Sequence, residues 1–259
     1  MSDFVEFACA HDVATITLNR PERRNALNQA MWAGLRDAVR RADALADAKI
    51  IVVRGAGGHF AAGADISEFD TVYASRERAG AYSRTVAESV TALADAAKPV
   101  IAMIEGSCVG GGMAIALACD LRIAASDAKF GITPAKLGLV YSLGDTKRLV
   151  DAVGPSKAKD ILFSGRIMDA EEAHAIRLID EMVAPGSLEA TVAAKCEAIA
   201  SASQWSVRKA KEIVRMIVSG TAQESPATSG WFIDATEGAD FREGRKAFME
   251  KRKPQFPFR

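Results

Sequence analysis

The chain has 259 residues, 49% hydrophobic and 25% charged, the composition of a soluble globular protein able to bury one large core or a core with a small appendage. Its 33 Lys and Arg balance 33 Asp and Glu, which argues against nucleic acid or an anionic membrane as the main partner. Cys9, Cys108, Cys119 and Cys196 make no disulfide framework, His11, His59 and His174 have no metal-ligand spacing, and no basic leader opens the sequence, so a metal-free cytoplasmic protein is expected.

Residues 4–8 and Val13–Leu18 alternate or are β-branched and flank His11-Asp12, which predicts an opening hairpin. Met31, Leu35, Val39 and Leu45 give helical spacing to a predicted helix over 28–46. Residues 49–53 read as a short buried strand running into Gly55-Ala-Gly-Gly58, and a helix is expected over 77–97. The apolar run 99–119 is long enough to suggest a membrane span, but Glu105 and three consecutive glycines interrupt it. It reads better as strand Val100–Ile104, a turn, and a buried helix over 112–118. Further strands are expected over 120–124 and 129–130. After Gly144, helices are predicted over 145–153, 155–163, Ala170–Ala175, 188–202 and Gln204–Val218, with one strand over 178–183. Strands alternating with helices predict an α/β core with parallel strands over residues 1–200, followed by a C-terminal helical region, 201–259.

Two glycine-bearing turns carry the chemistry: Phe60-Ala61-Ala62-Gly63-Ala64-Asp65-Ile66 and Gly106-Ser-Cys-Val-Gly110-Gly111-Gly112. Each follows an apolar run and leads into a predicted helix, so each presents N–H groups that no helical carbonyl satisfies. Two such turns facing one point would form an oxyanion hole for negative charge on an acyl oxygen. The glycine triplet is no phosphate loop, because no Lys-Ser/Thr follows it. Ser107 directly follows Gly106 and so is not a nucleophile elbow. Cys108 reads as a core thiol, and His59, beside the first turn, is a candidate for lining a pocket entrance.

The motifs Thr17-Leu-Asn-Arg-Pro21, Asn25-Ala-Leu27, FAAGADI, EGSCVGGG, CDLRIA and AFMEKRKPQF, in this order over nearly the whole chain, resemble the enoyl-CoA hydratase/isomerase (crotonase) superfamily. The resemblance implies an α/β, ClpP/crotonase-like spiral of β-β-α units with a C-terminal helical trimerisation region. It implies a homotrimer or dimer of trimers acting on an acyl-CoA thioester, with coenzyme A entering as part of the substrate and no separate cofactor. It makes the backbone N–H groups of Ala64 and Gly111 the oxyanion donors, the second at a helix N-terminus whose dipole also favours an anion. It places the coenzyme A moiety against residues 22–26 and 62–66, hence Arg23, Arg24, Ala26, Ala62, Asp65 and Ile66. Phe232, Phe248 and Lys251 fall where relatives place aromatic and cationic contacts, often across a subunit interface. Arg242, Arg245, Lys246 and Lys253 read as a solvated basic face.

The resemblance breaks at the acids. Hydratases of the family use two glutamates, one three residues after the middle glycine and one in an F-G-x-P-E segment, and here these positions are Ala114 and Pro134. General acid–base catalysis is worth ~10²–10⁴ in rate, so the loss bears directly on hydration. Each oxyanion donor is worth ~10²–10³ and is retained. The segment Thr133-Pro-Ala-Lys-Leu-Gly-Leu-Val-Tyr141 resembles the corresponding stretch of methylmalonyl-CoA decarboxylases, although those carry histidine at Ala64 and glutamate at Ala114. That resemblance makes Tyr141 a donor to the substrate carboxylate or to the enolate, with Thr133 beside it; a tyrosine bonded to backbone at the core edge is the plainer alternative. Among other acids, Asp145 is expected to cap a helix over 146–153 and Asp65 to anchor its loop. Asp120 is expected to support the core, while Glu68, Asp70 and Glu105 are candidates to replace the missing pair. Three readings follow: a lyase of malonyl-CoA-type decarboxylation, placed first; an enoyl-CoA hydratase or isomerase with relocated acids; and a non-catalytic acyl-CoA-binding protein.

Overall fold

The computed structural model describes residues 4–258. Strands β1 (Val5–Ala10) and β2 (Val13–Leu18) form an antiparallel hairpin whose turn holds His11 and Asp12 at φ 50° and 65°. Helix α1 (Gln29–Ala44) follows and leads to β3 (Ile50–Gly55), α2 (Phe69–Val72), α3 (Arg76–Asp95) and β4 (Val100–Ile104). Next come β5 (Ser107–Val109), α4 (Gly111–Ala118), β6 (Leu121–Ala125), β7 (Lys129–Gly131), α5 (Leu143–Ser164), β8 (Ile167–Asp169) and α6 (Ala170–Ala175). The chain ends with β9 (Glu181–Val183), α7 (Leu188–Ala200), α8 (Gln204–Val218), α9 (Pro226–Glu237) and α10 (Ala239–Met249). A six-stranded sheet runs β1-β2-β3-β4-β6-β9, parallel except for the first hairpin, and a three-stranded sheet runs β5-β7-β8.

The central strands are apolar on both faces because both faces are covered. Ile51 and Val53 of β3 point into the main core with Leu35, Val39, Leu93 and Ile115 of α1, α3 and α4. Their neighbours Ile50 and Val52 point the other way, into a second cluster with Leu188, Val192 and Cys196 of α7. Helix α4 is buried almost throughout, which accounts for the apolar run read in the sequence. Among the described residues no helix is long and apolar enough to cross a membrane.

The departures from the predicted elements have local causes. The second glycine turn contains a strand, β5, because Ser107–Val109 pairs with β7, and the following helix starts at Gly111 rather than Gly112. The helices expected over 145–153 and 155–163 lie in one element, α5, interrupted at Gly154 (φ 77°, ψ 163°) before Pro155. Its N-cap is Ser142, whose side chain accepts from the Asp145 N–H, so Asp145 lies in the first turn and is not the cap. The strand expected over 178–183 shrinks to β9, since the Leu178 N–H turns back to the Ala173 carbonyl at 2.8 Å. Helix α9 buries no residue and so left no apolar signal to read. Helix α8 buries only Gln204, leaves Val214, Ile217 and Val218 exposed, and reaches the core through Lys211–Asp120 (2.7 Å) and Arg215–Asp95 (3.1 Å).

Lys98 fastens the end of α1 to the start of β4. Its Nζ is buried and donates to the carbonyls of Ala42 (2.7 Å) and Leu45 (2.5 Å), each of which also accepts one backbone N–H at the helix C-terminus. Lys98→Ala is expected to cost about 2–3 kcal/mol in urea unfolding, because two carbonyls lose a charged donor. An unchanged midpoint would show that water replaces it without loss.

Candidate functional site

Residues 60–65 run between two backbones that grip them from either side. The Leu27 N–H donates to the Gly63 carbonyl at 2.7 Å, and the Asp65 N–H donates to the Leu27 carbonyl at 2.9 Å. This parallel bridge uses the residues on either side of Ala64, so the N–H of Ala64 itself turns away from Leu27. On the other side, the Ala61 N–H donates to Ser107 and the Ala61 carbonyl accepts from Val109, at 2.9 and 3.0 Å. Gly63 holds φ 109°, and a Cβ there would lie 3.2 Å from the Val109 carbonyl and 3.9 Å from the Gly111 nitrogen. A Cβ on Gly112 would fall 2.5 Å from the Ala61 carbonyl oxygen. The two glycine turns are therefore in contact.

Among the described residues, neither the Ala64 N–H nor the Gly111 N–H donates to a protein acceptor. Gly111 is the first residue of α4, where no intrahelical acceptor exists, and Gly110 before it takes φ 53° as N-cap. The Gly110 N–H is spent on the Gly131 carbonyl at 2.8 Å, which anchors the turn to β7. Two unpaired amides on adjoining turns, one at a helix N-terminus, can receive an anionic oxygen.

Several polar side chains hold this frame. Asn25 is fully buried at φ 57°; its amide donates to the carbonyls of Ala56 (2.9 Å) and His59 (2.6 Å) and its oxygen accepts from the Arg20 N–H at 2.8 Å. Arg20 pairs with Asp65 and also donates to the Ala26 carbonyl. Burial alone would raise the Asp65 pKa, but hydrogen bonds from Ser67 and Arg20 outweigh it and hold the carboxyl below its usual range. His59 Nδ1 accepts from the Ser107 N–H at 3.1 Å, so this ring straps the two loops together. Asn25, Arg20 and Leu27 lie inside the motifs Thr17–Pro21 and Asn25–Leu27 read from the sequence, where no role was assigned to them.

Ala114 is buried in α4, and Pro134 opens a short 3-10 turn, Pro134–Leu137, so neither hydratase position carries a carboxylate. Asp70 is exposed and Glu105 half-buried, while three other nearby acids are engaged elsewhere. Glu68 accepts from the Gln29 N–H at the start of α1, and Asp120 accepts from the Val100 N–H and pairs with Lys211. Asp145 bonds Ser142 at 2.6 Å and Arg148 at 3.2 Å. The Tyr141 hydroxyl is buried without any hydrogen-bond partner. Burial, with Asp145 and Cys108 nearby, pushes it well above the usual phenol range, so it stays protonated at neutral pH. Thr133, half-buried before the 3-10 turn, makes no side-chain cap bond.

Arg23 and Arg24 are exposed on the 20–27 loop, with Arg24 at φ 50°. The Ala62 N–H donates to the Arg24 carbonyl, the Ala26 N–H to Arg23, and Ile66 is exposed just beyond Asp65. Phe232 and Phe248 are 76% and 83% exposed on α9 and α10, and Lys251 is exposed at φ 53°. Two large cavities lie elsewhere: about 840 Å³ beside the β1–β2 turn and α7, and about 950 Å³ between α5 and α8. No group of three or more His, Cys, Asp or Glu among the described residues could hold a metal ion.

Comparison with known proteins gives a consistent result. The sequence profile described as enoyl-CoA hydratase/isomerase matches residues 9–258. The crotonyl-CoA hydratase of Syntrophomonas wolfei is 35% identical over 249 residues, 94% of each chain. An enoyl-CoA hydratase/isomerase family protein from Hyphomonas neptunium superposes with a TM-score of 0.97 at 46% identity, covering 100% of this chain and 99% of the other. An enoyl-CoA hydratase from Bacillus anthracis superposes with a TM-score of 0.90 at 30% identity, covering 99% and 100%.

The Asp65 clasp has a pH signature. A carboxyl whose pKa is lower folded than unfolded stabilises the fold above its unfolded value, about 4, and that stabilisation disappears as pH falls through the folded value. Unfolding midpoints of Asp65→Asn should therefore trail the unaltered protein by a constant margin between roughly pH 6 and 8, and the margin should shrink as the pH falls below about 4, the unfolded value. A margin that persists in acid would assign the loss to packing.

Proposed function

Because the chain belongs to the enoyl-CoA hydratase/isomerase (crotonase) family and shares its fold, we propose that it is an enzyme acting on an acyl-CoA thioester through an enolate. The observation that carries this reading is the pair of unpaired amides at Ala64 and Gly111, on turns held in contact by backbone bonds. The thioester oxygen accepts from both, and the donors strengthen as that oxygen gains charge. In the family resemblance coenzyme A lies along residues 22–26 and 62–66, where the exposed Arg23 and Arg24 are available to its phosphates.

Malonyl-type decarboxylation is the first choice among reactions, since it needs the oxyanion donors but no pair of glutamates. The bond from Cα to the carboxylate breaks, its electron pair passes into the thioester as an enolate, CO₂ leaves, and Cα takes a proton. Tyr141 suits the last step: its hydroxyl is buried, unpaired and protonated at neutral pH. Thr133 at the other end of the same segment completes the contacts to the departing carboxylate. A homotrimer or dimer of trimers belongs to the same reading, with the exposed Phe232, Phe248 and Lys251 reaching a neighbouring copy's substrate.

Hydration of an enoyl-CoA is the second reading, favoured by kinship with a crotonyl-CoA hydratase. It has to find acids other than residues 114 and 134, and Asp65, Glu68, Asp120 and Asp145 are already bonded within the protein.

Parallel assays with methylmalonyl-CoA and crotonyl-CoA separate the two. CO₂ release from the first with slow hydration of the second is expected, and rapid hydration of crotonyl-CoA would overturn the decarboxylase assignment. Tyr141→Phe is expected to lower kcat at least ~10-fold if Tyr141 delivers the proton. Equal kinetics would remove it from the mechanism.

A further inference from the structure

The two donor amides belong to different loops, yet one short segment touches both. Leu27 is fully buried, and its backbone grips the residues on either side of Ala64. Its side chain also reaches the second loop: a Cβ on Gly111 would lie 3.1 Å from Leu27 Cδ1. Trp32, on the first turn of α1, presses the same glycine harder, with Cζ2 and Cη2 at 2.9 and 3.3 Å from that Cβ position. Gly111 has no positive φ, so its need for glycine is steric: the indole occupies the space a side chain would take.

The indole is itself held. Trp32 is 1% exposed, its Nε1 donates to the Tyr82 hydroxyl at 3.3 Å, and the Ser89 hydroxyl reaches its backbone carbonyl at 2.6 Å. Tyr82 packs edge-on to Tyr73 (centroids 5.8 Å apart), and Tyr73 edge-on to Phe69 (4.9 Å) on α2. Burial pushes the Tyr82 hydroxyl up to about 12, so it remains a neutral partner for the indole. Asn28 caps α1 by accepting from the Met31 N–H at 2.8 Å, which fixes Trp32 relative to Leu27.

We propose that Trp32 is a positioning residue: with Leu27 it fixes the Gly111 N–H relative to that of Ala64, so that both point at one oxygen. This rests on the oxyanion reading above. A backbone donor has no side chain to orient it, and a hydrogen bond weakens steeply as its angle closes. A flat, anchored ring filling the space beside Gly111 restricts the rotation of that peptide. Trp32 touches no substrate; it acts through Gly111.

A test needs a readout of carbonyl polarisation, separate from stability and from turnover. The probe is 4-dimethylaminocinnamoyl-CoA, whose absorption moves to longer wavelength when its thioester oxygen accepts hydrogen bonds. The unaltered protein at saturating probe is expected to give the full red shift. Trp32→Leu should give less than half of it, with the dissociation constant changed less than threefold, and Trp32→Phe should recover most of it. Leu35→Ala, a cavity in the same helix, serves as the destabilised control and should keep the full shift. A full shift in Trp32→Leu would overturn the proposal. Should Trp32→Leu fail to fold, Tyr82→Phe, which loosens the indole from behind, decides: a full shift there would overturn it. Saturable binding to the unaltered protein without any shift would instead overturn the oxyanion hole itself.

Discussion

The arrangement of this protein depends on residues 60–65 being hydrogen-bonded from both sides at once. Leu27 holds Gly63 and Asp65 on one flank, while Ser107 and Val109 hold Ala61 on the other. A loop on a protein surface ordinarily satisfies much of its backbone with water. Here the amides of Phe60, Ala61, Ala62 and Asp65 are taken by neighbouring backbones, and the Ala64 N–H is left over because the parallel bridge employs the residues on either side of it. The unpaired donor is thus a consequence of the register. Shifting that register by one residue would exchange which amide is left unpaired.

The same constraint explains why the polar residues around the site are structural. Asn25 sits at φ 57° with its amide wedged between Ala56 and His59, Arg20 is committed to Asp65, and His59 to Ser107. Each bond ties the 20–27 loop or the 106–110 turn to residues 56–65. Charged and polar groups close to a proposed chemical centre are used to keep two amides in place. Among the described residues, the Tyr141 hydroxyl is buried without a hydrogen-bond partner.

Much of this was legible in the sequence, and what was missed has a common cause. The alternation of apolar runs with helical spacing gave β2, β3, β4, α1 and α3 to within a few residues, since those elements bury one clear face or two. The glycine turns were visible because positive φ and close approach leave a compositional mark at Gly63 and Gly110. Strands β5 and β8, three residues each, carry too little pattern to announce themselves, and α9 buries nothing. The role of Trp32 was hidden for another reason. Its ring is buried in the core, and only the folded chain brings it against the Cβ position of Gly111.

In the proposed reaction the groups that polarise the substrate do not titrate. Backbone amides keep their protons across the range in which carboxylates and imidazoles change charge. The hydroxyl assigned to protonation is moved further from neutrality by burial and by the nearby Asp145 and Cys108. A hydratase must keep one of its glutamates ready to give a proton and the other ready to take one, which ties its rate to two ionisations. Alanine and proline at those positions supply no such pair. Near neutral pH the rate should then be set by how well two amides converge on one oxygen, and that convergence is decided by packing around Gly111 and the register at Ala64.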